Sequence, residues 1–206
     1  MTHLRRSAWI AAACIPVILL TSACSSGTKK SPGGQSAASS NGPAAHATES
    51  APPGDIPDNQ AFVAYAAANH AFSLQVPEGW AMTSDGRAVL FTDKYNSIRI
   101  ESHPAAKQLS VDSARATEVP AIKAASPGYT PGDVHAVQRK SGHAVLITYR
   151  ADSAPNPVTG KVAILAVERY EFWRSGTEVA LTLSGAVGAD NVDPWRKVTD
   201  SFKWTA

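Results

Sequence analysis

From Ala61 onward the chain alternates apolar and polar residues in short runs bounded by turn residues. Phe72, Leu74 and Val76 alternate with Ser73 and Gln75, the period of a half-buried strand. Phe62 to Ala66 fits either a strand or an Ala-rich helical turn, and Asn69-His70 after it suggests a hairpin. Pro77-Glu78-Gly79 turns the chain into Trp80. Ala88–Thr92 and Ser97–Ser102 read as a second hairpin, with Ile98 and Ile100 on one face and Arg99 and Glu101 on the other. Ser110 is an N-cap candidate for a helix toward Ala125, with Asp112 in its first turn. Pro120 inside that run predicts a kink or two short helices.

The C-terminal half reads mostly as strand. A loop is expected over 126–133, where Pro127-Gly128 and Pro131-Gly132 give two turn signals. Val134–Arg139 and His143–Arg150 form a hairpin around Lys140-Ser141-Gly142. Centred there, the turn sets His135 near Leu146 and His143 near Gln138 or Arg139. Lys161–Arg174 is a long strand whose centre, Val162 to Val167, is apolar on both parities and expected to be covered on both faces. Ser175-Gly176-Thr177 reverses it into Glu178–Ser184. Asp193-Pro194 reads as a helix start with Asp193 as the capping carboxylate, and Trp195, Val198 and Phe202 as the buried stripe.

Hairpins with helices inserted at two points imply an α+β fold: an antiparallel sheet with helices packed on it, an α/β/α-type sandwich. The run Phe72-Ser73-Leu74-Gln75-Val76-Pro77-Glu78-Gly79-Trp80 resembles the opening strand and turn of PsbP-like domains, which include the LpqN-type actinobacterial lipoproteins. The later order also resembles them: a hairpin, a helix, two more hairpins and a terminal helix ending in Ser201-Phe202. The resemblance covers about residues 61–206 and implies a binding or assembly accessory without a shared catalytic constellation.

The N-terminal pattern is different. Arg5 and Arg6 precede an uncharged apolar run, Ala8–Leu20, too short for a bilayer span of about 20 residues but of secretory h-region length. Leu20-Thr21-Ser22-Ala23-Cys24 resembles a bacterial lipobox, with small residues before the cysteine that would take the lipid. Thr21 stands where Leu is commonest, and Cys14 is a rival site with a much shorter apolar run before it. Plain secretion, an uncleaved anchor and a twin-arginine route are the alternatives to a general secretory lipoprotein leader. The organisation expected is a signal peptide over 1–23, a Ser/Gly/Ala/Pro-rich disordered tether over 24–60 and one domain over 61–206. Bacterial lipoproteins usually carry two or three acyl chains, enough for stable anchoring.

Charge sharpens this picture. The formal net charge of +2 is too small for a nucleic-acid binder, which needs a large positive surface to displace counterions. Without Arg5 and Arg6, 17 basic residues face 17 acidic ones, so the excess belongs to the export signal. Two cysteines build neither a disulfide framework nor a Cys-rich zinc site.

The search for chemistry is sparse. No Gly-x-Ser-x-Gly elbow occurs, and Pro155 and Val162 spoil a phosphate loop around Gly160-Lys161. His70, His103, His135 and His143 lack metal-ligand spacing and read as surface or loop residues; His46 is isolated. Asp190, Asn191 and Asp193 are oxygen donors without EF-hand spacing. Glu168 and Glu171 have opposite strand parity and make a poor acid/base pair; Glu168 is expected partly buried, with Arg150 as partner. Trp80, Trp173, Trp195 and Trp204 are cleft candidates, although core packing is their commoner fate. The loops 126–133, 151–160 and 185–191 are the places to look for contacts. The expectation is a lipid-anchored envelope protein binding a protein, a lipid or a cell-wall component, with no cofactor and no metal. The alternative is an extracytoplasmic hydrolase with a dispersed site.

Overall fold

The computed structural model describes residues 54–86 and 88–205. Arg5, Arg6, Cys14, Cys24 and the tether up to residue 53 lie outside the described residues. In order, the elements are β1 (Phe62–Ala66), β2 (Phe72–Pro77), β3 (Ala81–Ser84), β4 (Ala88–Asp93) and β5 (Asn96–Pro104). Helical segments α1 (Val111–Ser113) and α2 (Val119–Ala125) follow, joined by a π-helical stretch, Ala114–Glu118. Then come β6 (Thr130–Arg139), β7 (Gly142–Asp152), β8 (Ile164–Arg174), β9 (Thr177–Ala186), α3 (Val192–Ser201) and β10 (Lys203–Trp204).

Seven strands form one antiparallel sheet in the order β3-β4-β5-β9-β8-β7-β6. The expected opening hairpin does not join it: β1, β2 and β10 make a separate three-stranded sheet. Residues of opposite parity on β6 and β7 serve two cores. Ile98, Ile100, Leu146, Tyr170, Phe172, Leu181 and Leu183 meet Phe72, Leu74 and Val76 of β2 and Trp195, Val198 and Phe202. Val134, Val145 and Ile147 point the other way, under Ala114, Val119 and Ile122. The large sheet is thus covered by the small sheet and α3 on its first face and by the α1–α2 segment on its second.

The hairpin registers fall where the turns predict. His135 faces Leu146 and His143 faces Gln138. Ser110 caps its helix through a reciprocal pair: the Ser113 amide donates to Ser110 Oγ (3.1 Å) and the Ser110 amide to Ser113 Oγ (2.9 Å). Pro120 does not break the helix. The wider π turn ahead of it accommodates a ring that would clash with the carbonyl four residues back in an α-helix.

Four expectations need correction. Residues 130–133 belong to β6, with an irregularity between Pro131 and Val134, and only the first part of the 126–133 segment is loop. Gly132 makes this possible, since a Cβ there would lie 2.5 Å from the Thr148 carbonyl oxygen. Second, Val162 and Ile164 are exposed, because β8 begins only at Ile164 and neither cover reaches that end. Third, Asp193 is not the helix cap. Asn191 holds that place, and its side chain is occupied elsewhere.

Fourth, residues 54–60, placed in the tether, lie on the folded unit. Ile56 is buried in the first core. Its amide donates to Asn191 Oδ1 (2.9 Å), while the Gly54 carbonyl accepts from Asn96 Nδ2 (2.8 Å) and Asn191 Nδ2 (3.1 Å). One apolar residue in a Ser- and Pro-rich stretch gave no periodic signal, and its anchor is 135 positions away.

A charged cluster lies on the second face. Arg169 donates from Nη1 to Glu101 (3.0 Å) and from Nε to Glu171. Burial pushes Glu101 up, but Arg169 and Arg99 outweigh it and hold that carboxyl below its usual range. Glu171 goes the other way. Burial dominates, Arg169 opposes it, and the nearby negative charges of Glu178 and Glu118 add to the upward push, to about 7. Its Oε2 has no hydrogen-bond partner among the described residues.

Between the ordinary value of 4.5 and about 7, the folded protein holds a proton that the unfolded chain has released. Stability therefore falls as pH rises through that window and levels off above it, by roughly 3 kcal/mol at 1.36 kcal/mol per unit. Glu178, also raised by burial, acts in the same direction. Glu171→Gln should flatten most of the decline in urea midpoint between pH 5 and pH 8. An equally steep decline in the variant would locate the titration elsewhere.

Candidate functional site

Two concavities flank α3. The larger, about 590 Å³, runs between α3 and β2 and has charged walls from Lys140, Arg196, Lys197 and Asp200. The second, about 420 Å³, opens on the first face of the large sheet where α3 leaves it uncovered. It lies within the size range of small-molecule sites, about 300–1,000 Å³. Its walls come from three adjacent strands and one helix: Thr130 and Pro131 of β6, Thr148 and Arg150 of β7, Glu168 of β8, and Trp195 of α3.

Local structure fixes each wall. The Asp133 amide donates to Thr148 Oγ1 (2.8 Å), which pins the irregular start of β6 against β7. Trp195 opens the buried stripe of α3, and its backbone amide bonds the Asn191 carbonyl at the helix start (3.0 Å). Gly185 lets the helix come close, because a Cβ there would lie 3.3 Å from Trp195 Cζ2 and 2.6 Å from Asn191 Nδ2. The Trp195 indole N–H is buried and donates to no acceptor among the described residues. A buried donor left unmade costs about 1–3 kcal/mol.

Glu168 is half-buried at the groove wall. Its Oε2 accepts from the Tyr170 hydroxyl (2.6 Å), which itself accepts from Arg139 Nη2 (2.7 Å). Arg139 also donates from Nε to Thr199 Oγ1 (3.2 Å) and stacks 4.9 Å above the Tyr170 ring. Burial, then the bond to Glu168, push the Tyr170 hydroxyl up to about 12, so it remains a neutral donor. Arg139, Tyr170 and Glu168 form a relay that holds the carboxylate at the groove. The Glu168–Arg150 pair expected from sequence does not form. Arg150 stands opposite Ala166, one diagonal step from Glu168, is exposed and makes no ion pair within 4 Å among the described residues. An acidic and a basic side chain therefore face one groove without neutralising each other.

The remaining candidates scatter. Trp173 donates from Nε1 to the Ala105 carbonyl (2.8 Å), Trp204 packs edge-on against Phe202, and Trp80 packs against the first core. All four domain histidines are exposed, and His103 pairs with Glu178 (3.3 Å). Among the described residues no three His, Cys, Asp or Glu side chains group as metal ligands. Asp190, Asn191 and Asp193 do not converge: Asp190 donates its amide to Asp55, and Asn191 holds residues 54–56. Of the three loops singled out, 126–133 supplies groove residues. Glu168 is partly buried as expected, and Glu171, on the opposite parity, is buried more deeply because the sheet is covered on both faces there.

Tyr170→Phe should remove the link between Glu168 and Arg139 and lower stability by about 1–2 kcal/mol, the worth of a charge-assisted hydrogen bond. Urea titration with an unchanged m-value measures it. A loss under about 0.3 kcal/mol would show that the hydroxyl does not hold the carboxylate.

No family model and no curated protein matches the chain. Solved structures do match. A Bacteroides thetaiotaomicron structure is 12% identical with a TM-score of 0.48, over 69% of this chain and 48% of that one. LpqN, described as involved in cell envelope biogenesis of Mycobacterium tuberculosis, is 14% identical with a TM-score of 0.45, over 72% and 93%. Cyanobacterial PsbP (CyanoP) from Synechocystis sp. PCC 6803 is 14% identical with a TM-score of 0.52, over 79% of this chain and 99% of that one. At that identity the likeness fixes architecture and nothing finer: the chain has the PsbP-like fold.

Proposed function

We propose that this protein is a lipid-anchored, extracytoplasmic accessory protein of the bacterial cell envelope. It acts by binding rather than catalysis, with the groove beside Trp195 as its ligand site. The observation that carries this reading is the order of segments in the chain. A basic pair (Arg5, Arg6), the apolar run Ala8–Leu20 and a small-residue approach to Cys24 precede a Ser/Gly/Ala/Pro-rich spacer and then one folded unit. A lipid on Cys24 is the attachment this order of segments calls for. The groove supports a binding role through its size and through a carboxylate and a guanidinium that do not pair with each other. A ligand carrying both a hydrogen-bond acceptor and a donor or cation would satisfy those groups together. An envelope protein, a lipid or a cell-wall component can present such a set.

Cys24→Ala should move the protein from the membrane fraction to the soluble extracytoplasmic fraction. Mass spectrometry of the wild-type N-terminal peptide should show an acylated Cys24. An unmodified peptide reading through residue 24 would overturn the anchor.

The groove is tested separately by the indole N–H resonance of Trp195 in a ¹⁵N spectrum. Titration with muramyl peptides, phosphatidylglycerol or phosphatidylethanolamine should shift it for the cognate class, and Glu168→Gln should weaken that shift at least tenfold in affinity. Shifts confined to residues away from the groove would remove it as the site.

A further inference from the structure

The large exposed apolar side chains of the described residues are unevenly placed. Val158, Val162, Ile164, Val187 and Val192 gather at one end of the large sheet, whereas Val63 and Met82 sit apart on edge strands. The gathering is built into the backbone. The Val187 amide donates to the Ile164 carbonyl (2.9 Å), joining the end of β9 to the start of β8. The loop after β7 folds back on itself, with Ser153 N to Ala163 O (2.8 Å) and Asn156 N to Lys161 O (2.9 Å). Asn156 Oδ1 accepts the amides of Val158 and Thr159 (both 2.9 Å), so an ordered turn holds Val158 at its tip, 90% exposed. Ordering a turn costs conformational entropy, and here the tip side chain buries nothing within the domain.

The same end receives the N-terminal segment. Gly54 lies against Ala186 and Ala189, a Cβ there coming within 3.1 Å of Ala186 Cβ, and Asp55 accepts the Asp190 amide. The chain ahead of residue 54 therefore enters the domain beside Val187 and Val192. Thirty positions separate Gly54 from Cys24. At the ~5–6 Å per square-root residue of a Gly/Ser-rich sequence, thirty residues reach roughly 30 Å, about one domain diameter.

We propose that this valine-rich end is a bilayer-docking surface, which seats the domain on the membrane with its aliphatic side chains in the headgroup–acyl boundary. The proposal rests on the anchor at Cys24. The tether makes docking intramolecular, so contacts too weak to hold a free protein suffice at the effective concentration of a short linker, on the order of millimolar. The charges at this end are mixed, with Lys94 and Lys161 against Asp55 and Asp190. Apolar insertion therefore drives the docking, and it should persist in molar salt.

The test uses the mature lipoprotein reconstituted into phosphatidylethanolamine/phosphatidylglycerol vesicles containing acyl-brominated lipid. A fluorophore is attached at Val158→Cys or, as control, at Arg174→Cys, at the far end of β8. Bromolipid quenching should be at least threefold greater at 158 than at 174 and insensitive to salt. Adding Ile164→Asp and Val187→Asp, both at exposed positions, should abolish the difference. Equal quenching at the two positions overturns the proposal. So does a probe at 158 that is shielded from aqueous iodide but not quenched by bromolipid, which would assign this end to a protein or a second copy. Vesicle flotation separates the premises: protein that does not float refutes the anchor, and protein that floats without quenching at 158 refutes only the docking.

Discussion

The middle of strand β8 is covered on both faces, and the polar side chains from Glu168 to Glu171 find partners inside the protein. An antiparallel sheet with one wet face would send alternate residues to solvent. Here Glu168 and Tyr170 turn toward the small sheet and α3, and Arg169 and Glu171 turn toward the α1–α2 segment. Each face answers differently. On the first, Arg139 and Tyr170 hold one oxygen of Glu168 at the wall of an open groove. On the second, one guanidinium is shared by Glu101 and Glu171, and an oxygen of Glu171 is left without a donor. Buried charges need a partner for each lone pair to offset desolvation, and this cluster supplies too few donors for its carboxylates. The second face is therefore the pH-sensitive one. The first is the face where a carboxylate and a guanidinium stand unpaired with each other at an open groove.

The groove and the N-terminal boundary share one hydrogen-bond cluster. Asn191 begins α3, and its carbonyl accepts the Trp195 amide, which fixes the helix start at the groove edge. Its side chain is spent on Ile56 and Gly54, and it also meets Asn96 (3.0 Å). Gly185 lies beneath this cluster, and a side chain there would collide with both asparagines. Freeing residues 54–56 would leave two buried asparagine side chains short of partners and loosen the start of the helix that carries Trp195. The segment that the sequence presents as the end of a spacer is thus a structural part of the site.

Much of the architecture was legible because it depends on local signals. Turn chemistry at Lys140-Ser141 set the register that puts His135 opposite Leu146, and Ser110 announced its helix. What escaped depends on distant contacts. β3 and β10 are too short to show a period, and β10 exists only because β2 offers it an edge. Asp193-Pro194 looks like a helix start on its own terms, but Asn191 two residues earlier is anchored by contacts across the fold. Alternation along β8 identified Glu168 as an inward residue correctly. Apolar residues on both parities pointed to cover on both faces only at Val162–Val167, whereas the double cover lies further along, over Val167–Phe172, where Glu171 is the more buried acid. The groove draws on four elements far apart in sequence, and only the 126–133 segment hinted at it.

The placement of the groove bears on what can reach it. Thr130, Arg150 and Glu168 lie near the start of β6, the end of β7 and the start of β8, the same end of the sheet at which Ile164, Val187 and Gly54 gather. Glu168 is four residues along β8 from Ile164, roughly 13 Å at strand rise. A domain seated on its valines would hold the groove mouth within the headgroup zone or just above it. Soluble molecules would then reach it through a narrow gap, whereas a molecule rooted in the bilayer would meet it by lateral diffusion. A tether alone leaves the groove free to face any direction. Docking fixes its orientation, and that orientation favours ligands carried by the membrane.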